Sequence, residues 1–214
     1  MEVSRVYIYK LTVDDGGAPC IQGGMLSLAI CKPAIRAMAC PDSIILGFAA
    51  NSLYVNNCLV YAANVTRHLD ARKYFSESRY ATRADCIYRW DGQQFKWKKG
   101  AMYHSPDDVE HDLGVFPQYE RANVLLSERS KNYRYFKDSC PIDYKRNYPL
   151  LTSLVERLGQ GHRINFPTQL QMELRQFIER IWKLKSVVRQ TLVPDVPCRD
   201  KCGSADEEFV RIDC

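Results

Sequence analysis

The sequence predicts an α+β fold: a small, strongly curved sheet or β-barrel with peripheral helices and a long C-terminal helix. Two observations carry this expectation. Short strand patterns separated by turn chemistry fill the first two thirds of the chain. Helical periodicity dominates only after Pro149, so strands and helices do not alternate as they would in a doubly wound parallel sheet.

Taken in order, "RVYIYKLTV" is rich in β-branched and aromatic residues and reads as a strand. "DDGGAP" (14–19) combines Asp, Gly and Pro and reads as a turn. "LSLAIC" is a continuous apolar strand, and Pro33 in "PAIRAMA" suits the first position of a short helix. "SIILGF" and "CLVYAANVT" (58–66) are the next strands. "HLDARKYFSESRY" reads as a short helix and a loop. "DCIYRWDGQQFKWKKG" predicts two short strands around Asp91-Gly92. "ANVLLSERSKNYRYF" gives a strand, a polar turn and another short strand. "PLLTSLVERLG" is helical, stopping near Gly159. Leu170, Leu174, Phe177, Ile181 and Leu184 then share one helical face, with Thr168 and Gln171 spaced as a capping box. Three segments are expected: a domain over 1–167, a helix packed on it over 168–190, and a polar tail over 191–214.

The 214 residues carry 30 Lys+Arg against 25 Asp+Glu, a net charge of +5. That mild excess suits a local anion site better than a surface coated in positive charge. There is no apolar run long enough for a transmembrane helix. "MEVSRVYIYK" has no signal-peptide pattern, so a cytoplasmic location is expected. The cysteine count is nine and odd, which argues against a disulfide framework. Cys31, Cys58 and Cys86 lie in apolar runs and read as small buried hydrophobes. Cys198, Cys202 and Cys214 lack the paired spacing of a structural zinc site. No P-loop, dinucleotide-binding glycine fingerprint or His-Glu-x-x-His motif is present, and neither a cofactor nor a metal is expected.

Several residues carry candidate chemistry. Lys32 precedes Pro33 and Arg36 lies one turn further on. With the helix-start amides they form a candidate phosphate seat. The bland alternative is an exposed helix face whose cations pair with Asp14 or Asp15. His104, Ser105 and His111 sit in "HSPDDVEHD", where Pro106 allows a helix to start at Ser105 and leaves His104 outside it. They suit hydrogen bonding to a base edge. The acids between them raise a weaker metal alternative with Asp107, Asp108 or Asp112, and ordinary surface histidines remain the bland reading. Gly161, His162 and Arg163 form a polar cluster that can hold a phosphate or simply follow a helix end. Trp90, Trp97, Tyr103, Tyr133, Tyr135 and Phe136 are candidates for stacking a base, though most such rings are core. Ser127 ends a strand and is a conceivable nucleophile with His111 or His162; Lys32 with Glu128 is a conceivable base–acid pair.

The runs "DDGGAP", "LSLAICKPAIRAMA", "DSIILGF", "LVYAANVT", "KYFSESRY", "HDLG", "NVLLSERSKNYRYFK" and "GQGHRINFP" resemble the second type of nucleotide modification associated domain, over roughly residues 5 to 167. The most specific stretch is Cys-Lys-Pro-x-Ile-Arg at 31–36. The resemblance implies a PUA-like barrel related to the ASCH and EVE group. It also implies a role beside systems that modify or police DNA bases, including phage conflict. Asp15 and Gly17 stand where aromatic residues are common in that family. Asp42-Ser43 replaces the usual Gly-Asp pair, and the tail beyond about residue 190 has no counterpart. The expected function is binding of a nucleobase, a nucleotide or a modified base in nucleic acid. The expected ligand-binding set is Asp14, Lys32, Arg36, His104, Ser105, His111, Ser127, Tyr135, Gly161, His162 and Arg163. The partner is a nucleotide or nucleic acid, not a membrane. Two alternatives stand: a metal-independent enzyme acting on a modified nucleotide, and a protein-interaction module in a defence operon.

Overall fold

The structure, a computed structural model, describes residues 5–186. The Cys198/Cys202/Cys214 segment lies outside the described residues. Three hydrogen-bonded sheets and six α-helices form an α+β fold. Among the described residues the sheets remain separate and no barrel closes, so the curved-sheet alternative holds and the barrel alternative does not.

The largest sheet has five strands. β1 (Val6–Leu11) pairs in parallel with β4 (Ile44–Ala49), from Val6 opposite Ile44 to Leu11 opposite Ala49. β5 (Leu59–Asn64) and β10 (Tyr133–Tyr135) follow antiparallel on one side, and β11 (His162–Arg163) pairs with β1 on the other. A parallel pair needs a crossover, and this one carries the site. Between β1 and β4 the chain makes the hairpin of β2 (Cys20–Gln22) and β3 (Met25–Leu28), then a turn, then α1 (Pro33–Met38). Gly23 and Gly24 turn that hairpin with φ of 60° and 72°, as a two-residue turn with two left-handed positions requires.

β2 and β3 join β9 (Asn123–Ser127) and β6 (Arg67–Asp70) in a four-stranded sheet. β6 lies where the sequence suggests only helix and loop. Its last residue, Asp70, caps α2 (Ala71–Tyr74) by accepting from the Arg72 amide at 2.7 Å. The hairpin at Asp91-Gly92 forms as expected, with β7 (Tyr88–Trp90) against β8 (Phe95–Trp97). The capping box at Ser105 opens a 3₁₀ turn (Pro106–Asp108) that continues into α3 (Val109–Leu113). α4 (Tyr144–Asn147) leads into α5 (Pro149–Arg157).

α6 (Thr168–Trp182) buries Leu170, Leu174, Phe177 and Ile181, the face read from their spacing. They pack with Leu151 and Val155 of α5 on Ile8, Leu46 and Phe48 of the five-stranded sheet. Each such side chain contributes roughly 1.5–3 kcal/mol. The expected capping box at Thr168 is absent: Pro167 is the cap, and the Gln171 side chain instead donates to the Phe166 carbonyl at 2.7 Å. The opposite face of the sheet (Tyr7, Tyr9, Ile45, Val60) packs on Leu26, Leu28 and Leu125 of the four-stranded sheet. That sheet's outer face is covered by Tyr74, Phe75, Tyr88 and Phe95 from α2 and the β7–β8 hairpin.

Candidate functional site

The reading of "LSLAIC" as one strand is half right. β3 stops at Leu28, and the chain turns through Ala29, Ile30 and Cys31 before α1. Cys31 and Lys32 both adopt left-handed backbone, φ 55° and 45°. For non-glycine residues this costs about 1–3 kcal/mol each and persists only where surroundings enforce it. Here they do. The Cys31 N–H donates to Asp112 Oδ1 at 3.1 Å, and the Cys31 carbonyl accepts from Arg36 Nε at 2.7 Å. Cys31 is therefore pinned at a strand-to-helix elbow, with its side chain on the wall of a cavity of about 800 Å³. That size is typical for a small-molecule site.

The cavity wall has three parts. The end of β1 and the loop after it supply Tyr9, Leu11, Asp15 and Gly17; the elbow supplies Ile30, Cys31 and Lys32; the end of β8 and the segment after it supply Trp97, His104, Ser105, Asp107, Asp108 and His111. Four residues expected from the sequence thus converge: Lys32, His104, Ser105 and His111. Asp15 and Gly17 also line the cavity. Gly17 is there for space. A Cβ on it would meet the Tyr103 ring at 3.0 Å. Tyr103 is buried, donates its hydroxyl to the Asp15 carbonyl at 3.0 Å, and accepts the Trp97 indole N–H at its own carbonyl at 3.1 Å. Of the candidate stacking rings, Trp97 is on the wall, whereas Tyr133 and Phe136 are core and Trp90 stacks with Arg72.

A polar relay runs inward from Cys31. Its Sγ lies 3.4 Å from His104 Nε2, and His104 Nδ1 lies 2.6 Å from Asp112 Oδ2. His104 also has left-handed backbone, φ 58°, so both partners are held in conformations that ordinary residues avoid. Asp112 is fully buried on α3 and accepts the Tyr88 hydroxyl at 2.8 Å. Burial alone would raise its carboxyl. The His104 hydrogen bond and charge, then the charge of Arg36 and the Tyr88 hydroxyl, outweigh it and hold the group below the usual carboxylate range. An ionised carboxylate facing Nδ1 favours a proton on that nitrogen, and in the neutral ring Nε2 then faces the sulfur as an acceptor. Burial, and then the charge and hydrogen bond of Asp112, push the Tyr88 phenol upward.

Arg36 departs from its expected role. It is fully buried and off the cavity wall. Besides Cys31, its guanidinium donates to the carbonyls of Arg121 (3.0 Å), Asn123 (2.6 Å) and Asp112 (2.5 Å), and lies 3.9 Å from Asp112 Oδ1. Its fork holds the elbow and α3 together from within, so the phosphate seat built on both cations is not assembled. Lys32 does reach the wall, with Nζ 5.1 Å from the centre of the Tyr9 ring.

The remaining candidates lie off the cavity wall. Asp14 accepts the hydroxyls of Tyr135 at 2.6 Å and Tyr54 at 3.0 Å. Burial, with Asp14 beside them, raises both phenols. Ser127 donates to the Asn64 carbonyl at 2.7 Å, and Glu128 pairs with Arg67 at 3.3 Å, so neither the serine nor the Lys32–Glu128 pairing is set up. Gly161, His162 and Arg163 form the turn and edge strand beside β1. His162 is shifted toward its neutral form by partial burial, then by the charges of Arg163 and Lys32. Among the described residues, no group of three or more His, Cys, Asp or Glu is placed to hold a metal ion, and no helix is long and apolar enough to cross a membrane.

The model of nucleotide modification associated domain 2 matches residues 3–190. The chain belongs to that family. The match spans every residue of the cavity wall and the whole Cys31–His104–Asp112 relay. In nucleotide modification associated domain 2, as this chain folds it, the Cys-Lys-Pro run is thus the elbow itself and not a solvated helix face. No curated protein and no solved structure matches the chain.

The sequence offers Asp112 only as a ligand in the metal alternative and Cys31 only as a small buried hydrophobe, and nothing in it singles out Tyr88. Cys31 sat in plain view in "AICKP", but its apolar neighbours suggested a buried thiol. The available signal was a cysteine beside a helix-starting proline, together with a histidine and an aspartate eight residues apart.

Proposed function

We propose that the protein binds a nucleobase or nucleotide, free or within nucleic acid, in the cavity between the elbow and the Trp97–His111 segment. It would do so in a DNA-base modification or phage-conflict setting, in the cytoplasm. The observation that carries this reading is a cavity of about 800 Å³ in a chain of a nucleotide modification family, bearing an indole, a lysine and hydrogen-bonding imidazoles. A base can stack on Trp97 for roughly 1–3 kcal/mol. His111 and Ser105 can meet a base edge, and Lys32 can meet a single anionic group.

The wall's charge narrows the ligand. Lys32 is accompanied by Asp15, Asp107 and Asp108, and three carboxylates repel a polyphosphate. A nucleoside, a monophosphate or one flipped-out nucleotide fits better than a triphosphate.

Thermal unfolding with nucleosides, nucleoside monophosphates and short oligonucleotides carrying normal or modified bases tests this. A ligand at one hundred times its Kd stabilises by about 2.7 kcal/mol. A base-selective shift that falls in Trp97→Ala and Lys32→Ala is expected. Equal shifts from every polyanion, abolished by salt, would refute a base-selective pocket.

A further inference from the structure

We infer that Cys31, His104 and Asp112 form a thiol acyl-transfer centre, with Cys31 as nucleophile toward a carbonyl carbon presented by the ligand in the cavity. Only the identity of the group bearing that acyl rests on the nucleotide reading above; the thiol centre stands on its own geometry.

Three features point the same way. The first is order: sulfur to Nε2 at 3.4 Å, then Nδ1 to carboxylate at 2.6 Å, is the nucleophile–base–orienter arrangement that acyl transfer uses on unrelated folds. The second is placement. Cys31 stands at a sharp strand-to-helix turn with φ 55°, which lifts the side chain out of the sheet toward the cavity, as nucleophile elbows do. The third is enforcement. Asp112 holds the Cys31 N–H through one oxygen and His104 through the other, so a single buried carboxylate sets the positions of both reacting groups. A cysteine serving only as packing needs neither a strained backbone nor an oriented imidazole.

The reaction balances with water as the only co-reactant. As Sγ bonds to the carbonyl carbon of an amide or ester, the thiol proton passes to His104 Nε2. The carbon–nitrogen or carbon–oxygen bond then breaks, and Nε2 returns that proton to the departing amine or alcohol. This leaves a thioester on Cys31. Water entering from the cavity attacks the thioester carbonyl and gives a proton to Nε2. The carbon–sulfur bond breaks, the sulfur recovers the proton, and a carboxylic acid leaves. The Cys31 N–H is already bound to Asp112, so charge on the carbonyl oxygen falls to other donors on the wall, Lys32 among them. Asp112 is a positioning residue.

The test uses the full chain and p-nitrophenyl acetate. Expected is a burst of p-nitrophenolate approaching one equivalent, with an acetyl adduct on Cys31 by peptide mass spectrometry. Cys31→Ser should abolish the burst, and His104→Asn should slow it by at least about 100-fold. The adduct map of the unaltered protein is informative without any variant. Acetylation at exposed Cys40 but not at Cys31 would overturn the proposal, as would a burst that survives in folded Cys31→Ser. A Cys31 burst in a protein that no nucleoside or nucleotide stabilises would uphold the thiol centre and reject the nucleotide reading alone.

Discussion

Replacing Arg36 by Met is the sharpest test of how the elbow is held. Arg36 is fully buried and donates to four carbonyls, those of Cys31, Asp112, Arg121 and Asn123, at 2.5–3.0 Å. Met fills similar space but removes every donor and the cation. Four acceptors lose a partner at about 1–3 kcal/mol each if left dry. A simple sum overshoots, because acceptors sharing one fork are not independent. Breaking one side of a buried ion pair gives the better estimate, about 3–5 kcal/mol. Against a total stability of about 5–15 kcal/mol that is a large fraction. At 2–4 °C per kcal/mol it lowers Tm by roughly 6–20 °C. Arg36→Lys keeps the charge and loses the fork, so it should recover only part of the deficit. Urea unfolding of the three proteins measures this. A loss under about 1 kcal/mol for Arg36→Met would refute the role assigned to the guanidinium and restore Arg36 as a cavity residue.

Four further outcomes are expected. Asp112 titrates below its ordinary value in the fold, so its stabilising contribution is present above about pH 4 and is lost as pH falls through the unfolded and then the folded pKa; acid unfolding of Asp112→Asn should show a shallower pH dependence over that window than the unaltered protein. Tyr88→Phe removes one donor to the Asp112 carboxylate and should cost about 0.5–3 kcal/mol by denaturant titration. Gly47→Ala puts a methyl group against the Tyr61 ring and Leu11 in the middle of the five-stranded sheet; overpacking there should destabilise by about 1–3 kcal/mol, read as a lower urea midpoint. Gly17→Val crowds the Tyr103 ring one residue before His104, so it should weaken ligand-induced thermal shifts more than it lowers Tm.

How much was legible in the sequence depended on how local the cause was. The α6 face followed from its own spacing, and the Ser105 start followed from Pro106 one residue on. The Asp91-Gly92 hairpin needed only its turn. Arg36 was misread because periodicity gives a face but not what covers it; its acceptors Arg121 and Asn123 come from a segment more than eighty residues later. Cys31 packs partly against the core, as its apolar neighbours suggest, but its polar partners were hidden for the same reason. Its partners His104 and Asp112 are 73 and 81 residues away, and spacing along the chain does not reveal the left-handed turn at which it lines the cavity. β6 was overlooked because "RHLD" has one buried residue and takes its strand character from pairing with β9.

The most direct test of the account is the rate at which iodoacetamide modifies Cys31 relative to Cys40 in the same unaltered protein, resolved by peptide mass spectrometry. Cys40 is exposed and Cys31 is half-buried on the cavity wall, so accessibility alone favours Cys40. An imidazole-activated thiol predicts the reverse, with Cys31 at least about tenfold faster and slowed by His104→Asn. Cys31 reacting no faster than Cys40, in both the unaltered protein and the variant, would contradict the claim that this cavity is built around a working thiol.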